Sequence, residues 1–272
     1  MTWRVLPCAA ALLGAAAASA EEIPAEALTD LSQADVIILG ELHDNPHHHE
    51  NQAVAVAAFD PAAIVFEMLT PALADAVTPE LRDDPAALAE ALEWEARGWP
   101  DFEMYHPIFT AAPDSAIIGG GLSRDVVRGA VSAGAAAVFA QEIDAAMGRR
   151  LGLERALPDD KQSEREQLQA RAHCDALPED MLSGMVEAQR LRDAALAIAA
   201  IAAAEKGPVV MITGNGHART DWGVPAKLER AAPELSVLSI GQLEAAPDSP
   251  QPYDHWVITD APERDDPCAA FE

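Results

Sequence analysis

Residues 35–52 read Asp35-Val36-Ile37-Ile38-Leu39-Gly40-Glu41-Leu42-His43-Asp44-Asn45-Pro46-His47-His48-His49-Glu50-Asn51-Gln52. Val36-Ile37-Ile38-Leu39 is an unbroken apolar run, three of its four residues β-branched. Such a run reads as a short strand buried on both faces, as in a parallel sheet. Gly40 breaks it. Asp44 or Asn45 then caps a helix whose first position is Pro46, where a missing N–H costs nothing, and which is expected to run to Phe59. Open parallel sheets bind ligands at the carboxyl ends of their strands, so Glu41 and His43 emerge where such folds keep their chemistry.

Outward from this stretch the pattern repeats. Ala63-Ile64-Val65-Phe66 reads as a second buried strand that delivers Glu67, and 207–213 as another that delivers His217 and Arg219. Between them, 115–118 reads as a strand followed by Gly119-Gly120-Gly121. These glycines suit close backbone approach better than a phosphate cradle, because neither G-x-G-x-x-G nor G-x-x-x-x-G-K-[ST] is present. Further strands are expected at 235–240 and 255–259, and a short helix at 225–232. Residues 21–34 read as a short leading helix, and 70–112 as helix in three pieces, one of them 86–99.

Residues 125–206 are almost all helix-forming, with breaks at Gly134, 148–152, Pro158 and Pro178. The last helix, about 178–206, is rich in alanine and serves as a lid, a dimerisation arm or a plain cover over the sheet. The expected fold class is therefore α/β: a central, mostly parallel sheet with helices on both faces and a long helical insertion between strands. One domain is expected over 21–261, with 262–272 a mobile tail unless Cys268 ties it down.

Residues 1–20 carry Arg4, an apolar run and Ala-Ser-Ala, the pattern of a secretory signal peptide cleaved near Ala20. This points to a periplasmic or secreted protein. No other stretch reaches the roughly 20 apolar residues of a membrane span. A net charge of −27 argues against nucleic acid or anionic membrane as partner, because phosphates need clustered Lys and Arg. Cys174 and Cys268 are either bridged or free, since sequence does not show their geometry.

If the sheet is parallel, Glu41, His43, Glu67, His217 and Arg219 share one edge. Two imidazoles and two carboxylates suit one of two tasks. His43, His217 and Glu67 could ligate a divalent metal such as zinc or manganese. Otherwise one histidine acts as general base with a carboxylate orienting it, and Arg219 holds an anionic group. Among the clustered histidines, His48 lies four residues before Gln52 and is expected in the cleft, with His47 and His49 turned to solvent. Neither H-E-x-x-H nor G-x-S-x-G occurs. Trp94, Trp99, Phe102, Tyr105 and Phe109 place five of the thirteen aromatics within sixteen residues, as local core or as the wall of a ligand pocket.

The same residues carry a resemblance. Gly40-Glu41-Leu42-His43-Asp44-Asn45 with His48 and Gln52, then Glu67-Met68, Trp99 with Tyr105 and Pro107, and Gly216-His217-Ala218-Arg219 with Asp221-Trp222-Gly223-Val224-Pro225 resemble the ChaN-like haem-binding uptake proteins. That family shares a superfamily with the erythromycin esterases and the Tiki metalloproteases, which similarly keep a glycine-x-x-histidine, here Gly40 to His43, and a later glutamate and histidine. The resemblance implies an α/β fold, export, and haem binding connected with iron acquisition. Haem needs an apolar slot and an axial donor. The aromatic stretch is the expected slot, and His48, His106 or Tyr105 the expected donor. The leading expectation is an exported haem-binding protein, with a homodimer as a possible assembly; the alternative is an esterase- or metalloprotease-like hydrolase at the strand ends.

Overall fold

The computed structural model describes residues 20–266 together with Cys268 and Ala269. The leader read into the first twenty residues lies outside them except for Ala20.

Val36–Glu41 forms β2, the centre of a seven-stranded sheet in the order β1-β7-β6-β2-β5-β3-β4. The other strands are β1 (Glu21–Glu22), β3 (Ala63–Phe66), β4 (Ala116–Gly119), β5 (Val209–Gly214), β6 (Val237–Leu243) and β7 (His255–Ile258). Every pairing is parallel. Apolar residues therefore face both ways. Ile37, Leu39, Ile64, Phe66, Val210 and Ile212 pack into one core, and Val36, Ile38, Ala63, Val65, Val209 and Met211 into the other.

The first core is covered by α1 (Pro46–Phe59) and α5 (Phe102–Ala111). Asn45 caps α1 by accepting from His47 N at 2.9 Å, and Pro46 is its first residue. Between β3 and α5 run the short helices α2 (Pro71–Ala74), α3 (Pro79–Arg82) and α4 (Pro85–Ala91). The expected helix over 86–99 stops at Ala91, and Glu93 adopts a left-handed φ of 52°. This turn sends the Trp94 ring into the core, where its indole N–H donates to Pro100 O at 2.7 Å. Trp94, Phe102, Tyr105 and Phe109 are all buried there.

The second core is covered by the insertion: α6 (Arg124–Ala133), α7 (Ala135–Phe139), a π-helical turn (Ala140–Asp144), α8 (Ala145–Arg150), α9 (Asp159–Ala172) and α10 (Glu179–Ala204). Of the readings for the last helix, α10 is a cover: Leu191, Ala194, Leu196, Ala197 and Ala200 are buried in the second core. After β5 come α11 (Asn215–Ala218) and α12 (Val224–Ala231).

Two expectations at the ends change. Residues 21–34 are not led by a helix; Glu21–Glu22 adds to the outer edge of β7, and a single 3-10 turn follows at Ala25–Thr29. The described part of the tail is pinned: Arg264 pairs with Asp44 and Glu244, and Cys174 is bridged to Cys268 with Sγ–Sγ 2.11 Å.

β2 hands the chain to α1 on one face, while its neighbour β5 hands it to α12 on the other. The carboxyl ends of β2 and β5 thus border the crevice where ligands of such sheets bind. The glycines after β4 close the wall beside it. A Cβ on Gly119 would lie 2.3 Å from the Thr70 carbonyl, and one on Gly121 2.2 Å from Glu67 O. Gly119→Ala is expected to cost about 1–3 kcal/mol through overpacking. Urea unfolding checks this, and an unchanged midpoint would contradict the close approach.

Candidate functional site

Side-chain parity along the strands assigns the two acids to opposite layers. Glu41 follows Ile37 and Leu39 toward α1 and α5, whereas Glu67 follows Ala63 and Val65 toward α10. Each carboxylate is buried and each is surrounded by donors.

Glu41 Oε1 accepts from the Tyr105 hydroxyl and from His43 Nδ1, both at 2.6 Å, and Oε2 accepts from Gln52 Nε2 at 2.7 Å. His49 completes this half. Its ring lies tilted against Tyr105 at a centroid distance of 3.9 Å, its Nδ1 meets Gln52 Oε1 at 3.0 Å, and its Nε2 donates to His43 O at 3.0 Å. Burial opposes ionisation of Glu41, but the hydrogen bonds and charges of His43 and His49 outweigh it and hold the carboxyl far below its ordinary range. His43 shows the reciprocal effect: burial pulls its pKa down, the bond and charge of Glu41 pull harder, and the result is about 9. The imidazole is therefore a cation at neutral pH.

Glu67 Oε2 accepts from Thr213 Oγ1 at 2.6 Å and from Gly214 N at 2.7 Å, while Oε1 is paired with Arg192. Burial again opposes the charge, and His217, Arg192 and His43 overcome it, bringing the pKa to about 2. His217 Nε2 stands 3.5 Å from Glu67 Oε1, and its Nδ1 donates to Asp193 at 2.6 Å. Arg165 lies 3.7 Å behind Asp193.

His43 joins the halves. Its side chain remains 32% exposed, and its Nε2 points past Gly214, where a Cβ would lie 3.1 Å away. Glycine at 214 lets this ring reach over the sheet edge. Two imidazoles, each fixed through Nδ1 by a carboxylate, thus border one cleft with their Nε2 atoms. A carboxylate on one nitrogen raises the basicity of the other and sets its direction.

Several expected residues stand elsewhere. His48 is buried outside the cleft: its Nδ1 accepts from Leu42 N at 2.9 Å, and burial, with the neighbouring His49, lowers its pKa to about 4. His49, expected in solvent, occupies the place assigned to His48, because Gln52 meets the residue three positions before it rather than four. His47 is exposed and faces Glu50. His106 Nε2 donates to Arg82 O at 2.7 Å, and Tyr105 is fully buried on Glu41 with its ionisation pushed well above the ordinary phenol value. The Tyr105 hydroxyl is thus committed to Glu41, and of His106 only Nε2 is committed. Arg219 stacks 3.7 Å over Trp222 and pairs with Asp221, so the cation on Glu67 is Arg192 instead. His43, Glu67 and His217 do not close around a common metal position; among the described residues no group of three His, Cys, Asp or Glu could hold a metal ion.

His49, Gln52, Arg192, Asp193 and Thr213 are the participants that site-by-site reading missed. A signal existed for one pair: Arg192 and Asp193 are the last charges before the apolar stretch 194–204, deep in a helix that must cover the sheet.

A family model described as haem-binding uptake, Tiki superfamily, ChaN, matches residues 27–228. The chain belongs to this family. Among solved structures, it is similar to that titled "Cofacial heme binding to ChaN of Campylobacter jejuni", with 18% identity over 85% of this chain and 89% of the other and a TM-score of 0.63. The type III effector HopBA1 also aligns, with 12% identity, 87% and 92% coverage and a TM-score of 0.46. No curated protein matches the chain. The sheet architecture is thus shared with the Campylobacter protein at a sequence distance where fold alone is comparable.

The Glu41–His43 bond predicts its own test. Glu41→Gln removes the largest influence that raises the imidazole, so the His43 pKa should fall well below about 9, with only Glu67 left to oppose burial and Arg192. Titration of the ring by NMR checks this, and a pKa unmoved by the substitution would refute the coupling.

Proposed function

We propose that this protein binds haem in the cleft beside His43. The observation that carries the reading is the open Nε2 of His43, next to an aromatic wall. The His43 ring lies 5.1 Å from Trp99, and Trp99 with Trp94, Pro100 and Phe102 lines a cavity of about 960 Å³. That size is at the upper end of the roughly 300–1,000 Å³ typical of small-molecule sites. The residues fit the group in kind: haem requires an apolar slot and an imidazole or similar donor, and Trp99, which lines the slot, is the ring that His43 stands against. Glu90, Glu93, Glu95 and Asp101 also line the cavity, so the aromatic wall and the axial donor, rather than ion pairing, carry the binding.

In this reading His43, in place of His48, His106 and Tyr105, would hold the haem iron, Glu41 fixes its ring, and Trp99 flanks it. Bound haem would supply iron, as cargo or as a redox centre. Export, a role in haem-iron uptake and a homodimer belong to the same proposal. Uptake rests on the family, and export on the family and the Cys174–Cys268 bridge, which suits an oxidising compartment. No described helix is long and apolar enough to cross a membrane.

Haemin titration of the purified protein should give a saturable Soret change at fixed stoichiometry. His43→Ala should weaken it by about tenfold or more, the range expected when a ligand or its support is lost, while Tyr105→Phe keeps the band. A non-saturating change, or one indifferent to His43→Ala, would refute the proposal. Ligation also requires Nε2 to release its proton. Affinity should therefore rise up to about tenfold per pH unit below about 9 and level off above it; a flat profile in the wild type would contradict His43 as donor.

A second reading is favoured by the other half of the cleft, which haem ligation leaves unused. His217, held by Asp193, is placed to take a proton from water, and His43, a cation at neutral pH, to give one to a leaving group. Arg192 replaces Arg219 as the nearby cation. A screen of esters and peptides should then find turnover that both His217→Ala and His43→Ala abolish with the fold retained. Turnover unaltered by either change would end this reading.

A further inference from the structure

β4 (Ala116–Gly119) is one of the two outer strands of the sheet and, among the described residues, pairs only with β3. Ala116 N donates to Ala62 O at 3.0 Å and Gly120 N to Phe66 O at 2.9 Å. Even-numbered residues thus direct their backbone groups to β3. By the alternation of a parallel ladder, Ile117 and Gly119 turn their N–H and C=O groups outward.

Outside this edge runs a trough of about 580 Å³. Its walls are the small and apolar faces of α10 (Ile198, Ala199 and Ala202) and of α2 (Pro71 and Ala74), and Ile143 of the π-helical turn closes it. Turns of this rare type concentrate at functional places. Three charged residues line it: Lys206, Glu142 and Asp75. Lys206, just before β5 begins, marks the end where the strands start. Glu142 lies on the turn that faces α6 from Asp125 to Ala133, and α6 is the helix that β4 leads into, so we take it as marking the end where β4 stops. Lys206 makes no ion pair among the described residues.

We propose that β4 accepts a short, extended apolar peptide of a partner as an added antiparallel strand. Its backbone pairs with Ile117 and Gly119, its small side chains fill the trough, its carboxylate meets Lys206 and its ammonium meets Glu142. The four residues of β4 span about 13 Å at roughly 3.3 Å each, which suits four or five residues of peptide. This occupant matches the outward backbone groups, the small apolar walls and two of the three charges, and leaves the exposed Asp75 to solvent. An acyl chain would leave the outward N–H and C=O groups dry and unpaired. A second copy would present the same hollow, and two concave surfaces do not fill one another.

The test titrates the whole chain with the pentapeptide Ala-Val-Ala-Val-Ala, with free ends, while the Ile117 and Gly119 amides are followed by NMR and hydrogen exchange. Saturable binding should protect both amides. N-methylation of the peptide's two pairing residues should abolish it, and Lys206→Glu, on an exposed side chain, should weaken it by about tenfold through loss of a charge-assisted bond. The proposal is overturned if no binding occurs at millimolar peptide, or if the N-methylated peptide binds equally well. Saturable uptake of dodecanoate at these same residues, without peptide binding, would assign the trough to acyl chains instead.

Discussion

A carboxylate buried at the end of the central strand must be given donors, or the fold fails there. Removing one partner from a buried charge costs about 3–5 kcal/mol. Glu41 receives its donors from three directions: Tyr105 on α5, Gln52 on α1 and His43 on its own loop. Each donor in turn fixes the element that carries it. The requirement thus docks both helices of one layer, orders the turn after β2 and leaves His43 Nε2 as this half's ring nitrogen facing the cleft. Glu67 imposes the same requirement on the opposite layer, through Arg192 and Thr213.

The two acids belong to different layers, so the cleft between them inherits a division of labour. On the Glu41 side the imidazole is charged at neutral pH, and the wall is aromatic. On the Glu67 side His217 is tied to Asp193, with Arg165 behind it. One side suits a flat apolar ligand with a coordinating centre, the other suits proton transfer. One sheet edge can serve both tasks, because parallel strands bring their carboxyl ends together whatever loops follow. The trough at β4 lies at the outer edge of the same sheet and depends on a different property, the unpaired side of a ladder.

Local signals made much of this legible. The apolar run before Gly40, the caps at Asn45 and Pro46 and the acids after β2 and β3 are statements about neighbours in sequence, and they located the strands, α1 and the edge that carries Glu41, His43, Glu67 and His217. What escaped was set by packing between distant segments. Which face of α1 meets Glu41 depends on a phase difference of one residue, so His49 replaced His48. The partner of Glu67 comes from α10, 125 residues away, and no local rule distinguishes Arg192 from Arg219 for that role. The turn at Glu93 arose because Trp94 gains more by entering the core than the helix gains by continuing.

The central claim is that Glu41 orients His43 as the donor to a bound ligand. Resonance Raman spectroscopy of the reduced haem complex, with protein grown on 15N-histidine, tests it most directly. The account predicts an iron–imidazole stretch that shifts with the isotope and disappears in His43→Ala. An iron–phenolate vibration in the ferric complex, unchanged by His43→Ala, would contradict it.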